Sequence, residues 1–437
     1  MMKSVWIDTA KKPHFEPLHT NDKTDVLIIG GGMTGILCAY LLQKRGVDCI
    51  LCEAEELCGG VTQNTTAKLT LQHGLFYEQT LCRLGKHIAQ GYLHSQAEAM
   101  EDYRRLADDY FCDYETVDSY VYAKKDRRRL EEEVSAINAL GGEARFVENL
   151  RLPFPVEGAV CVPRQAQFHP LKLAYALAKQ LNVYEKTRIV ELLPNGARTR
   201  YGKIYAKRVV VATHFPFENR HGLYFLKLYQ HRSYVLGLEN APNLGGIYVD
   251  AEKDGLSFRN FDGMLLLGGG SHRTGKAGGN WNELEAFAKR YYPMAQEEYR
   301  WATQDCMTLD GLPYIGRYSK NTPHVFVATG YNKWGMTSSM VAAKLLADLV
   351  TDRKNPYSEV YDPSRSMLRW QTAVNLFESV KGLLTPTVPR CPHLGCALKY
   401  NKQEHSWDCP CHGSRFTKDG RLIDNPANCN KEDLRRG

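Results

Sequence analysis

Thr24–Ala54 reads TDVLIIGGGMTGILCAYLLQKRGVDCILCEA, and changes of pattern within it decide the fold. Val26–Ile29 is a short, β-branched apolar run of the kind that forms a strand buried on both faces. Apolar positions then recur with helical spacing over Thr34–Lys44, Gly46 ends that helix, and Cys49–Cys52 reads as a second strand. Strand, turn, helix and strand in this order make the first βαβ unit of a doubly wound sheet. The turn Gly30-Gly31-Gly32-Met33-Thr34-Gly35 fits G-x-G-x-x-G, and Glu53 closes the second strand. In such a loop the first glycine makes the tight turn, the second admits a pyrophosphate to the backbone, and the third lets helix pack on strand. The helix N-terminus favours the phosphate charge. Glu53 would accept hydrogen bonds from an adenosine ribose. The bland alternative is a structural βα turn with a surface glutamate.

The remaining chain is that of an ordinary soluble protein. Its 437 residues suffice for two or three cores, and the charged fraction of 24% argues against disorder. A net charge of +7 is modest, and its densest run, KKDRRR at Lys124–Arg129, reads as a solvated helix face, so nucleic acid is not an expected partner. No run of eighteen apolar residues suggests a membrane span, and the N-terminus has no apolar signal region, so a cytoplasmic protein is expected. Helices are expected between Phe76 and Leu140 and over Leu171–Leu181. Asn195-Gly196 marks a hairpin, Tyr234–Leu238, Gly246–Val249, Leu256–Arg259, Met264–Leu267 and Val325–Ala328 read as strands, and Thr337–Val350 as a helix. A polar linker and an amphipathic helix over Leu368–Val380 follow.

The chain then reads CPHLGCALKYNKQEHSWDCPCHGSRF from Cys391 to Phe416, with four cysteines and three histidines in a stretch that has little room for a core. Cys391-Pro392-His393 and Cys409-Pro410-Cys411-His412 form C-x-H and C-x-x-H halves separated by fifteen residues. In a cytosolic chain such clustering argues for metal rather than a disulfide framework. Two cysteines and two histidines suit zinc as well as an iron–sulfur cluster.

Two resemblances narrow these readings. The N-terminal stretch continued through EELCGGVTQNTTAKLT, together with AKRVVVATHFP and LDGLPYIGRYSKNTPHVFVATGYNKWGMTSSMVAAKLLADLV, resembles the D-amino-acid-oxidase-like flavoproteins that include glycine and sarcosine oxidases. CPHLGC with CPCHGS resembles the Rieske [2Fe-2S] signature. Together they imply an α/β fold: a Rossmann-like FAD domain (20–75, 156–216 and 305–355), an α+β substrate domain (76–155 and 217–304), a linker and helix (356–384), and a small, shortened all-β Rieske domain (385–437). Carry-over places Gly30, Gly32, Met33, Thr34, Gly35 and Glu53 on the ADP half of FAD, Thr65 and Thr66 at the diphosphate and ring, and Ile189 at adenine. Gly330, Gly335, Met336 and Thr337 would line the flavin. The implied cluster ligands are Cys391, His393, Cys409 and His412, with Cys396 and Cys411 at the positions of that family's disulfide. Two neutral imidazoles in place of thiolates lower the negative charge on a cluster and raise its potential. Ser414 would add a hydrogen bond, while Phe416 stands where many high-potential members have Tyr.

The resemblance implies oxidation of a C–N bond in an amine or amino acid, with single electrons passing through the cluster to an external acceptor, or arriving from a donor protein. Arg259, at a strand end, is the expected carboxylate partner, and Tyr234, His272 and Lys333 are further pocket candidates. The rivals are a flavin–Rieske relay without small-molecule turnover, and reverse electron flow driving a reduction. A chain cut near Pro386 is expected to keep its FAD.

Overall fold

The computed structural model describes residues 3–218, 221–367, 369–386 and 389–431. Leu368, the expected start of the linker helix, lies outside them.

The opening stretch forms the centre of an eight-stranded sheet. Asp22–Ile29 pairs in parallel with Cys49–Cys52 on one side and Lys203–Val211 on the other. Val183–Tyr184 and Val325–Thr329 extend the parallel set, and Tyr314–Arg317 closes one edge antiparallel. The hairpin Ile189–Leu193/Gly196–Thr199 turns at Pro194-Asn195, one residue before the expected Asn195-Gly196, because Gly196 already pairs with Leu193, and it joins Lys203–Val211. Helix Met33–Lys44 packs on helix Gly335–Val350, and both are buried over most of their length. That explains why their sequences are apolar all round rather than on one stripe.

A second, nine-stranded sheet is built on three long antiparallel strands, Leu228–Glu239, Met264–Arg273 and Gln296–Thr308. It also takes in Lys68–Leu69 and Gly158–Gln167, which pair with each other. The latter strand falls within a segment that sequence assigns to the dinucleotide domain, yet its pairing with Glu115–Ala123 carries it into this sheet. The KKDRRR run leads into helix Arg127–Ala139, whose Arg127 and Arg128 pair with Glu131 and Glu132 on a solvated face. Glu133, one residue on, is fully buried and accepts from the N–H groups of Phe76, Tyr77 and Glu78 at 2.9–3.0 Å, so it caps the helix Tyr77–Leu84.

The third sheet has four short antiparallel strands: Lys399–Asn401, Ser406–Asp408, Arg415–Thr417 and Leu422–Asp424. Its core is small, centred on Cys391, Cys396, Leu398, Cys409, Cys411 and Phe416. Among the described residues between Leu384 and Cys391 the only β-pairing is the isolated bridge Arg390–Ala397. So little apolar area leaves a domain that relies on a staple such as a bound cluster and on contacts with a larger neighbour. The deficit is offset by docking against the large sheet.

Candidate functional site

At the centre of the first sheet, Gly30 has φ +111°, and a Cβ there would lie 2.5 Å from Ala212 O. A Cβ on Gly35 would collide with Gly30 O. Both positions therefore require glycine for close backbone approach. Glu53 accepts from Gly31 N at 2.7 Å and Glu55 N at 2.9 Å; burial raises its pKa and these N–H groups oppose the shift. Thr62, a residue not singled out from sequence, accepts from Met33 N at 3.0 Å and so braces the first helical turn.

These residues open onto a cavity of about 470 Å³, lined by Gly30, Gly32, Met33, Thr34, Glu53, Ile189, Gly335 and Met336 among others. A second cavity of about 330 Å³ adjoins it, and Val61, Gly335 and Met336 belong to both walls. Thr65 and Thr66 line the second cavity only. Gly330 and Thr337 line neither: Gly330 turns with φ +75°, and the Thr337 hydroxyl donates to Thr70 O at 3.1 Å.

The four expected pocket residues separate in the second cavity. Lys333 is in its wall, with Nζ 3.2 Å from Ser271 Oγ, and burial lowers its pKa. Arg259 is 1% exposed and outside the lining; its Nη1 donates to Thr66 O at 2.8 Å and Ala67 O at 2.7 Å, beneath the rings of Trp6 and Phe261. Its guanidinium supports the cavity wall and adds positive potential without reaching the space. Tyr234 belongs to that wall, but its ring stacks on His272 at 5.7 Å and its hydroxyl donates to Glu404 at 2.7 Å. His272 does not line the cavity.

Two ionisable groups absent from the sequence-based list take their places. Lys68, in TTAKLT, donates from Nζ to Ser257 Oγ at 2.9 Å; burial, with Arg259 and Lys333 nearby, lowers its pKa to about 7. Burial raises Asp305 to about 6, with Lys333 opposing. The cavity therefore holds two lysines and one carboxyl with perturbed titration, a common mark of functional sites.

In the small domain, Cys396, Cys409 and Cys411 bring their sulfurs within 4.8 Å of one another, and hydrogen bonds from Cys391, Cys396 and Cys411 hold the Cys409 thiol well below its ordinary value. The Cys396–Cys411 bond implied by resemblance is not formed: both are free thiols, and Cys409 shares their site. The His393 and His412 rings lie 4.9 Å apart. Burial lowers both pKa values, His393 to about 3, which keeps the imidazoles neutral as metal ligation requires. His412 is 2% exposed, its Nδ1 has no protein partner, and its Nε2 is 3.4 Å from Ser379 Oγ. An orphaned imidazole nitrogen beside crowded thiols fits a mixed Cys/His iron–sulfur site.

The domain is fixed in place by buried polar contacts. Arg415 binds Glu404, Asp408 and Asp424 at 2.7–3.0 Å, and Arg232 of the large sheet reaches across to Glu404. Gln230 donates to His412 O and Gln304 to Gly413 O at 3.1 and 2.9 Å. Phe215 and Phe225 place their rings edge-on to His393 and His412 at 6.4 and 6.1 Å.

The FAD dependent oxidoreductase model matches residues 25–349 and the Rieske [2Fe-2S] domain model residues 356–434. The chain belongs to the D-amino-acid-oxidase-like family of FAD-dependent oxidoreductases and carries a C-terminal Rieske [2Fe-2S] domain. It is 32% identical to the Rieske 2Fe-2S iron-sulfur protein YhfW of Bacillus subtilis (strain 168), over 97% of this chain and 96% of that one. Glycine oxidase from Geobacillus kaustophilus superposes with a TM-score of 0.68 at 20% identity, over 79% of this chain and all of that one. L-Proline dehydrogenase from P. horikoshii gives 0.67 at 16% identity, covering 79% and 98%. No helix among the described residues is long and apolar enough to cross a membrane.

Proposed function

We propose that this protein oxidises the C–N bond of an amino acid carrying a free carboxylate and passes the electrons to an external one-electron acceptor. The supporting observation is the second cavity, where Lys68 and Lys333 offer positive charge and Asp305 a carboxyl beside the wall shared with the dinucleotide cavity. Opposite charges in one enclosed space suit a zwitterion. Lys68, steadied by Ser257, and Lys333, steadied by Ser271, would take the carboxylate; Asp305 would hold the ammonium. Bound FAD supplies a two-electron acceptor and the [2Fe-2S] centre a one-electron outlet. Gly30, Gly32 and Glu53 would hold the first, and Cys391, His393, Cys409 and His412 the second. That some solved structures of similar fold are a glycine oxidase and an L-proline dehydrogenase supports the substrate class. A cavity with charged walls also favours turnover over a relay without substrate.

The test is anaerobic bleaching of the flavin absorbance by a panel of amino acids, simple amines and hydroxy acids. Amino acids are expected to bleach it. Bleaching by none of the panel, or by hydroxy acids alone, refutes the reading.

A further inference from the structure

The segment Leu422–Asn428 follows the cluster loop, yet it also forms part of the dinucleotide cavity wall, through Leu422, Asp424, Asn425, Ala427 and Asn428. It shares that wall with Glu53, Arg188 and Ile189. Two asparagines fasten it there. Asn425 Nδ2 donates to Phe215 O at 2.8 Å and also to Thr213 O. Asn428 Nδ2 donates to Ile189 O at 3.2 Å, and its Oδ1 accepts from Arg188 at the same distance. The segment is equally tied to the cluster loop: Ala427 N donates to Ser414 Oγ at 2.9 Å, and Gln230 Nε2 bridges Asn425 O and His412 O.

We propose that the Rieske domain is a structural wall of the FAD site, so that FAD is retained only while the domain is docked. This rests on the cavity being the FAD site. The physical reason is that a dinucleotide held partly beneath Leu422–Asn428 cannot leave until that segment lifts, and the segment lifts only when its bonds to Thr213, Phe215, Ile189 and Arg188 break. Linkage makes the dependence mutual: a ligand that binds the docked arrangement better shifts the equilibrium toward it. FAD therefore holds the domain down, and a chain with an unseated domain loses flavin. On this proposal a chain cut near Pro386 would lose its FAD.

The experiment uses the full chain loaded with FAD and cluster. Release is followed by the rise in flavin fluorescence on dilution. Asn425→Ala/Asn428→Ala removes the fasteners. Gly275→Val acts elsewhere, since a Cβ at Gly275 would lie 2.8 Å from Pro410 Cα and wedges the domain off the large sheet. Both variants should release FAD roughly tenfold faster or more, while keeping the cluster's visible absorbance. Removing FAD from the parent should raise hydrogen exchange over residues 412–428. Release within about twofold of the parent in both variants, or exchange indifferent to FAD, overturns the proposal. A parent that never takes up FAD refutes the assignment of the cavity itself, and this inference with it.

Discussion

Lys68 stands in a wall where an ammonium is costly, since burial and two neighbouring cations lower its pKa to about 7. Its charge is therefore present below neutral pH and fades above it. Replacing it with Met should raise KM for an amino-acid substrate roughly tenfold to a hundredfold, about 1.5–3 kcal/mol of lost charge-assisted bonding, with the flavin spectrum unchanged. In the parent, KM should climb as pH rises through about 7, and in Lys68→Met that dependence should flatten; steady-state kinetics from pH 6 to 9 checks both. His412→Cys should keep a cluster where one assembles but lower its potential by adding negative charge, measurable by redox titration. The glycine loop and the cluster's Cys/His pattern were legible in the sequence because each depends on fixed spacing within a few residues. Lys68 was not, because its role arises from burial beside Arg259 and Lys333, residues distant in sequence. Glu133 was hidden by the same cause: a run of charges gives no sign of the one that turns inward to cap a helix.

The long strand Leu228–Glu239 works on both of its faces. Ser233 faces the cavity, while Gln230, Arg232 and Tyr234 hold the Rieske domain. Burial opposes ionisation of Glu404, but Arg232 and Arg415 overcome it and hold the carboxyl at about 2. Its ordinary value is 4.5, so its contribution to docking is complete above 4.5 and is lost as the pH falls toward 2. Arg232→Met should weaken the fold by about 3 kcal/mol, the low end for a broken buried pair because Arg415 remains with Glu404. Denaturant titration at pH 7 measures this, and the difference from the parent should shrink toward pH 3. Sequence located this strand only as Tyr234–Leu238. Local pattern marks the apolar centre, whereas pairing with Gln296–Thr308 extends the strand through polar residues that serve the interface. Partner identity in the sheets is likewise invisible locally, as the pairing of Gly158–Gln167 with Glu115–Ala123 illustrates.

For the whole molecule, two adjoining cavities share Val61, Gly335 and Met336, and the Rieske domain closes on the larger of them. The architecture and both cofactors were readable from motifs, but the docking was not, because it depends on isolated polar residues spread from Arg188 to Asn428. On this reading, electrons taken from a substrate in the smaller cavity reach the cluster of the same chain. Anaerobic titration with an amino acid that bleaches the flavin, followed by EPR of frozen samples, tests it most directly. Each substrate oxidised yields two electrons, of which the cluster holds one, so the rhombic Rieske signal should grow as the flavin bleaches and reach no more than one spin per chain. A fully bleached flavin with a silent cluster, whose signal then appears on adding dithionite, would contradict the account.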